Sequence, residues 1–310
     1  MGGGRTADPQ PRHAFGCYSV GFSDQAEGHP DGNAQPGRRS MLRLGAYTAH
    51  ERICPSMSVE LFSLRGKTAL VTGASKGLGY EMARALAAAG ADVAITSRHL
   101  DEVTAAAAVL SAETGRRVLP LQADAGQAGD VDAMTERVIG ELGGLDILVN
   151  NAGINIHSFV HEQSEEDWNK VLQIDLTGPM LCTRAATRHM IPKGRGRVIN
   201  ISSILGLVGY PKRGPYCAAK GALINLTKAY AVELAPHQIT VNCICPGPFD
   251  TPLTQGLVQG PVREDFTRRI PMGRWGDPKE LVGAVLYFAS DAAAFTTGAI
   301  LTVDGGWTSI

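Results

Sequence analysis

From about Gly66 onward, short apolar runs alternate with longer stretches of helical period, and this alternation limits the chain to very few architectures. The runs are KTALVTG (67–73), ADVAITSR (91–98), RRVLPLQAD (116–124), LDILVNNAG (145–153), GRVINISS (196–203), ITVNCICPG (239–247) and AILTVDGG (299–306). Between them, helical patterns cover 80–90, 100–115, 130–143, 165–191, 216–235 and 277–290. Because the strands are apolar at consecutive rather than alternate positions, both their faces must be covered. Strand–helix alternation then implies parallel pairing through crossover helices. The expectation is an α/β fold: one doubly wound, seven-stranded parallel sheet with helices on both faces. Pro179 inside 165–191 predicts a kink or an early-turn boundary there.

Residues 1–56 are different: rich in Gly, Pro and Arg, without hydrophobic period, and without the apolar core of a secretory signal. They are expected to form a disordered N-terminal extension. Met57 opens the regular sequence and is a candidate translation start, testable by mass spectrometry of the natural N-terminus; 57–310 is expected to form one domain. The formal net charge of −1 gives no support for nucleic acid as a partner. No apolar run reaches the length of a membrane span, so none is expected. Six cysteines lack paired metal spacing, and no metal site is expected. Cys243 and Cys245 share one face of an apolar strand and read as buried packing, with reduced thiols and a cytoplasmic location.

Ser203, Tyr216 and Lys220 carry the first chemical signal. If Tyr216 opens a helix, Lys220 follows one turn later on the same face. A nearby ammonium favours the phenolate and lowers the phenol pKa, so the tyrosine can exchange a proton with an alcohol or carbonyl oxygen. The Ser203 hydroxyl is positioned by spacing to hydrogen-bond the same oxygen, whereas Ser202 would point to the opposite strand face.

The first strand runs into Thr72-Gly-Ala-Ser-Lys-Gly-Leu-Gly79, with glycines at 73, 77 and 79. A glycine turn between strand and helix brings backbone N–H groups and a helix N-terminus to a pyrophosphate. The second strand ends Thr96-Ser97-Arg98, without the acidic residue that would hold an unphosphorylated adenosine ribose. Arg98, together with Lys76, suits a 2′-phosphate, which favours NADP over NAD.

TGASKGLG, NNAG (150–153), Ser203, Tyr216, Lys220 and Pro246-Gly247 follow one another as in the short-chain dehydrogenase/reductase family, which the chain resembles over about 60–310. The resemblance implies a Rossmann-like domain performing hydride transfer. In it Tyr216 is the acid/base, Lys220 its pKa partner and ribose ligand, and Ser203 the orienter of the substrate oxygen. Gly73, Ser75, Lys76, Gly77, Leu78 and Gly79 hold the cofactor phosphates. Ser97 and Arg98 hold the ribose end, and Asp124 and Ala125 the adenine. Asn151, Ala152 and Gly153 line the cofactor, and Pro246, Gly247, Phe249 and Thr251 hold its nicotinamide. Asp175 stands where the family usually has an asparagine that supports a helix distortion and a proton-relay water. It keeps acceptor oxygens, loses the amide donor and brings a negative charge near Lys220. A homotetramer is implied as well.

The implied substrate is a small-molecule ketone or secondary alcohol, either a 3-oxoacyl thioester or a sugar acid such as gluconate. The 3-oxoacyl-acyl-carrier-protein reductase and gluconate 5-dehydrogenase branches are the two resembled. The alternative is a catalytically silent NADP-binding sensor; a nucleotide-sugar epimerase is disfavoured because the chain ends just after its last strand. His157, His161, Lys212, Arg213, Arg263, Arg268 and Arg269 read as solvated groups. The stretch 252–275 reads as a hinged substrate flap with Gly256 and Gly260.

Overall fold

Thr68–Val71 (β1) is fully buried along its length, as its unbroken apolar sequence requires. The computed structural model describes residues 60–251, 254 and 259–310. The expectations for 1–56 and Met57, and the part of the flap that includes Gly256, lie outside these residues.

The seven strands pair in parallel in the order β3-β2-β1-β4-β5-β6-β7. The others are β2 (Asp92–Ser97), β3 (Val118–Gln122), β4 (Ile147–Asn150), β5 (Gly196–Ile201), β6 (Ile239–Pro246) and β7 (Ile300–Val303). The helices are α1 (Gly77–Ala88), α2 (Leu100–Thr114), α3 (Ala128–Leu142), α4 (Glu165–Leu172), α5 (Gly178–Lys193), α6 (Gly214–Leu234), α7 (Pro261–Arg268) and α8 (Val282–Ala289).

Side-chain alternation along the strands sorts the core into two layers. Ala69, Val71, Val93, Ile95, Ile147, Val149, Ile199 and Ile201 face α1, α2 and α8, where Met82, Leu86, Leu110 and Phe288 meet them. Leu70, Ala94, Leu148, Val198 and Val241 face α3, α5 and α6, against Met134, Val138, Leu181 and Met190. Each fully buried Leu, Ile or Val contributes about 1.5–3 kcal/mol of apolar burial. β6 is buried at all eight positions, while the outer strand β7 is half-exposed.

The expected long helix 165–191 is three elements. Ser164 caps α4 by accepting the Asp167 N–H, and three acidic residues in its first turn favour that end. A π-helical turn, Gln173–Thr177, then leads into α5, with Pro179 in α5's first turn. The anticipated kink is therefore a π turn that begins before the proline and contains Asp175. At Gly178 an added Cβ would sit 2.9 Å from the Ala125 carbonyl oxygen, so the chain passes tightly against the turn after β3. A smaller correction concerns an end. The helix expected at 277–290 begins as a 3₁₀ turn, Pro278–Leu281, closed by an Asp277/Glu280 capping box. Among its described residues the flap includes a helix, α7.

β1 lies between β2 and β4, so the connections leaving β1 and β4 diverge to opposite faces of the sheet. The crevice at their C-terminal ends is where such sheets bind ligands.

Candidate active site

β5 ends at Ile201, two residues before Ser203, which caps the 3₁₀ turn Ile204–Gly206 and accepts the Leu205 N–H at 3.1 Å. Its hydroxyl lies near enough to the Tyr216 phenol to favour the phenolate. Tyr216 sits in the first turn of α6, where Pro215 lacks only an N–H that the helix start leaves unpaired. One turn on, Lys220 is buried, with its ammonium 5.5 Å from the Tyr216 ring centre. The spacing argument therefore brings serine, tyrosine and lysine together as expected. Ser202 is turned away and donates to the Lys220 carbonyl at 2.8 Å.

Asp175 reaches the same cluster from the π turn. It is fully buried, with Oδ1 accepting the Ile154 N–H at 2.7 Å and Oδ2 3.1 Å from Lys220 Nζ. Lys220 also donates to the Ile201 carbonyl at 3.1 Å. The electrostatics correct one expectation. Burial pushes the Tyr216 phenol above its ordinary range; Lys220 pulls it down, but the Asp175 carboxylate works against that pull. Asp175 itself is raised, because burial outweighs the lysine beside it. Lys220 is raised too: burial opposes its charge, and Asp175 and Tyr216 together overcome that. The lysine's field is shared with a neighbouring anion, so it does not bring the phenol below its usual value in the free protein.

The glycine loop has the shape of an anion cradle. Gly73 and Gly77 have φ of +64° and +65°, which side chains rarely adopt. A Cβ on Gly73 would lie 2.9 Å from the Ala152 Cα, and one on Gly79 would meet the Gly73 carbonyl and the Asn151 amide. α1 begins with no side-chain cap and no acidic residue in its first turn, leaving its N–H groups for an outside acceptor. These features fit a dinucleotide pyrophosphate.

Asn151 braces this loop. Its Nδ2 donates to the carbonyls of Thr72 and Gly73, both at 2.9 Å, while the Asn151 and Ala152 N–H groups donate to Thr72 Oγ1. Gly153 abuts the Asp175–Lys220 pair: a Cβ there would lie 2.7 Å from Asp175 Oδ2 and 3.3 Å from Lys220 Nζ. Thr251 is buried with its Cβ near the space beside Gly77, so the segment after β6 closes toward the glycine loop. Gly247 bonds to the Val303 carbonyl, Pro246 is buried in β6, and the Phe249 ring packs in the core against Gly276. The Phe249 ring is therefore taken up by the core.

At the ribose end, Arg98 is exposed and Ser97 Oγ accepts the His99 N–H. Lys76 pairs with Glu102 at 3.3 Å, and Ser75 donates to the same carboxylate at 3.1 Å. Sequence reading missed Glu102, which sits in the first turn of α2. Leu78 is partly buried against the first core layer. Asp124 Oδ1 accepts the Gly126 N–H, and Ala125 is buried beneath it. Also missed was a buried amide chain, Asn150 to Asn200 to Thr227, which ties β4, β5 and α6 together beneath the site at 2.8 and 2.9 Å.

Cys243 and Cys245 lie side by side as expected, buried, with sulfurs 3.9 Å apart. Among the described residues no three His, Cys, Asp or Glu side chains converge as metal ligands, and no helix is long and apolar enough to cross a membrane.

A family model described as "Enoyl-(Acyl carrier protein) reductase" matches residues 73–308. Cis-4-hydroxycyclohexanecarboxylate dehydrogenase of Sinomonas cyclohexanicum is 42% identical over 247 residues, covering 79% of this chain and 97% of that protein. Gluconate 5-dehydrogenase of Gluconobacter oxydans is 39% identical over 258 residues, covering 80% and 97%. Among solved structures, a gluconate 5-dehydrogenase from Burkholderia cenocepacia in complex with NADP and tartrate is 36% identical, with a TM-score of 0.78, covering 82% of this chain and 99% of that one. With its seven-stranded parallel sheet and its serine, tyrosine and lysine, the chain belongs to the short-chain dehydrogenase/reductase family and is an oxidoreductase acting on CH–OH groups.

Proposed function

We propose that this protein is an NADP(H)-dependent enzyme that interconverts a ketone and a secondary alcohol. The observation that carries the reading is the convergence of Ser203, Tyr216 and Lys220 next to Gly153, the end of the turn that holds the glycine cradle. The bound nicotinamide supplies or takes the hydride.

The residues divide the remaining work. Tyr216 gives its proton to the carbonyl oxygen in reduction and takes one from the alcohol in oxidation. Ser203 accepts from Leu205 and so keeps its own proton for the substrate oxygen. Lys220 stabilises the phenolate form of Tyr216, and Asp175 holds Lys220 in place while moderating its charge. Gly73, Gly77, Gly79 and the open start of α1 hold the pyrophosphate, with Asp124 and Ala125 at the adenine. Arg98 and Lys76 hold the 2′-phosphate, for which Lys76 must leave Glu102. The backbone of Ala152, Gly153, Gly247 and Phe249 lines the nicotinamide side.

Two substrate classes remain in view. A 3-oxoacyl thioester is supported by 3-oxoacyl-acyl-carrier-protein reductases of Chlamydia trachomatis and Synechocystis, 39% and 38% identical to this chain, and a sugar acid by the two gluconate 5-dehydrogenases. The silent-sensor reading is weakened by the intact tyrosine and lysine. We further propose a cytoplasmic homotetramer: the four described cysteines are free thiols, and the edge strand β7 carries an exposed Leu301 that a second copy would cover.

The test is NADPH oxidation with 5-keto-D-gluconate and an acetoacetyl thioester side by side, with NADH as control. Turnover of either that falls about 10²–10⁴-fold in Tyr216→Phe supports the reading. Tight NADPH binding without turnover of any ketone would leave the sensor.

A further inference from the structure

Four charged side chains are buried among the described residues: Asp146, Asp175, Arg213 and Lys220. Three have an opposite charge. Asp146 meets Arg195 at 3.2 Å, and Asp175 and Lys220 meet each other at 3.1 Å. Arg213 is only 9% exposed, and no carboxylate or hydrogen-bond acceptor engages its guanidinium among the described residues. A buried charge is costly unless it is paired. The nearby flap arginines are no substitutes: Arg263 pairs with Asp250, Arg268 and Arg269 with Asp265, and Arg274 with Glu280.

Arg213 lies three residues before Tyr216. It is the N-cap residue of α6, and its carbonyl accepts the Cys217 N–H at 2.8 Å, so its backbone is fixed to the helix that carries Tyr216. Its neighbour Lys212 has φ of +62°, a left-handed conformation uncommon outside glycine. That twist separates two adjacent cations. Lys212 lies exposed with its ammonium 4.2 Å from the Phe159 ring centre, and Arg213 is buried. Burial draws the Arg213 pKa down.

A second observation comes from the loop that follows Gly153. Asn155 Oδ1 and Ser158 Oγ are buried and have no hydrogen-bond partner. The Ser158 N–H donates to the Lys212 carbonyl at 3.3 Å, which ties this loop to the turn bearing Arg213. One cationic fork, one amide oxygen and one hydroxyl therefore stand unsatisfied on two linked segments bordering the catalytic tyrosine.

We propose that Arg213 anchors a carboxylate carried by the substrate, with Asn155 and Ser158 receiving hydroxyl groups of the same molecule. The substrate class is a small hydroxy- or keto-carboxylic acid whose acid group lies a few bonds from the reacting carbon. A guanidinium matches a carboxylate with two parallel N–H bonds. A 3-oxoacyl thioester has no anion at that distance from its ketone, the nearest being at the far end of the pantetheine arm. This assignment rests on the oxidoreductase reading above, with Tyr216 at the reacting oxygen.

The experiment uses the full chain, its Arg213→Leu and its Arg213→Lys variants. NADPH turnover is measured with 5-keto-D-gluconate and 4-oxocyclohexanecarboxylate, and with cyclohexanone as the uncharged ketone. Calorimetric binding of D-gluconate and of sorbitol is run in parallel, and NADPH affinity and thermal unfolding report on the fold. Arg213→Leu should raise KM for both carboxylates about 30-fold or more, the scale of a lost charge-assisted pair. The cyclohexanone KM, kcat and NADPH affinity should stay within about threefold, and Arg213→Lys should restore part of the carboxylate affinity because it keeps the charge without the fork. The unfolding temperature of Arg213→Leu should not fall, since an unpaired charge leaves the interior. Equal losses for charged and uncharged ketones, or an unmoved carboxylate KM, overturn the anchor. Gluconate binding that needs Arg213, without turnover of any ketone, upholds the anchor and sinks the ketone–alcohol reaction proposed above. Turnover of cyclohexanone or a thioester with no carboxylate preference does the reverse.

Discussion

Replacing Asp175 with asparagine removes one charge from a fully buried cluster and keeps nearly the same shape. The Oδ1 that accepts the Ile154 N–H at 2.7 Å survives the change. The oxygen lost, or turned into an amide, is the one 3.1 Å from Lys220 Nζ. Two unit charges at that separation interact by about 5 kcal/mol at an effective dielectric constant of about 20. That figure bounds the field that Asp175 takes from the lysine. In the wild type Lys220 lowers the Tyr216 phenol and Asp175 raises it. With Asp175 neutral, only the lowering influence of the two remains. The sign follows: alcohol oxidation needs the phenolate, so its pH–rate curve moves toward lower pH. Ketone reduction needs the protonated phenol, so its alkaline decline begins earlier. Since each tenfold gain in phenolate corresponds to about 1.4 kcal/mol, capturing even about a quarter of the pair energy gives about a tenfold faster oxidation at pH 7. Stability should drop, because breaking a buried pair costs about 3–5 kcal/mol when the survivor is left unpaired. The Ile201 carbonyl, 3.1 Å from Lys220, keeps that loss to the lower end. The assay is a pH profile of kcat in both directions, with urea unfolding alongside. An unmoved profile, or one moved to higher pH, would refute the electrostatic account of the site.

Three other outcomes follow from the geometry. Gly153→Ala drives a methyl to 2.7 Å from Asp175 Oδ2, so it should destabilise the fold by about 1–3 kcal/mol and weaken NADPH binding in a fluorescence titration. Glu102→Gln releases Lys76 and Ser75; NADPH should bind more tightly and NADH no differently, and an equal effect on both would separate Lys76 from the 2′-phosphate. Burial pushes the Cys182 thiol up to about 12, so in a variant with Cys17 and Cys54 changed to serine, a thiol reagent at pH 8 should label the half-buried Cys217 and leave Cys182 untouched, as peptide mapping would report.

The parts of the fold that were legible in the sequence are those governed by periodicity. Consecutive apolar positions marked all seven strands, because a strand covered on both faces has no polar side to show. The juxtaposition of Ser203, Tyr216 and Lys220 was legible because one helical turn and one strand end fix their relation. What escaped depends on contacts between segments distant in the chain. The π turn at Gln173–Thr177 has the composition of an ordinary helix, and the close approach of Gly178 to the turn after β3 joins segments distant in the chain. Glu102 lies on a helix 26 residues from Lys76, and no local pattern announces their pairing. The bonds by which the Asn151 amide braces the glycine loop join residues nearly eighty positions apart and left no local pattern. Arg213 and Lys212 look alike in sequence; only burial, set by the left-handed turn between loop and helix, tells them apart. The raised phenol of Tyr216 likewise required knowing how deeply three charged groups share one space.

Hydride transfer with proton donation by Tyr216 is the central claim, and isotope transfer tests it most directly. The full chain would be given NADPH dideuterated at the hydride-donating carbon together with a ketone substrate, and the alcohol analysed by mass spectrometry. The account predicts an alcohol one mass unit heavier, with deuterium on the new carbinol carbon. In Tyr216→Phe the account predicts NADPH binding retained and product formation lost by about 10²–10⁴-fold. An alcohol without deuterium, or undiminished turnover in Tyr216→Phe, would contradict it.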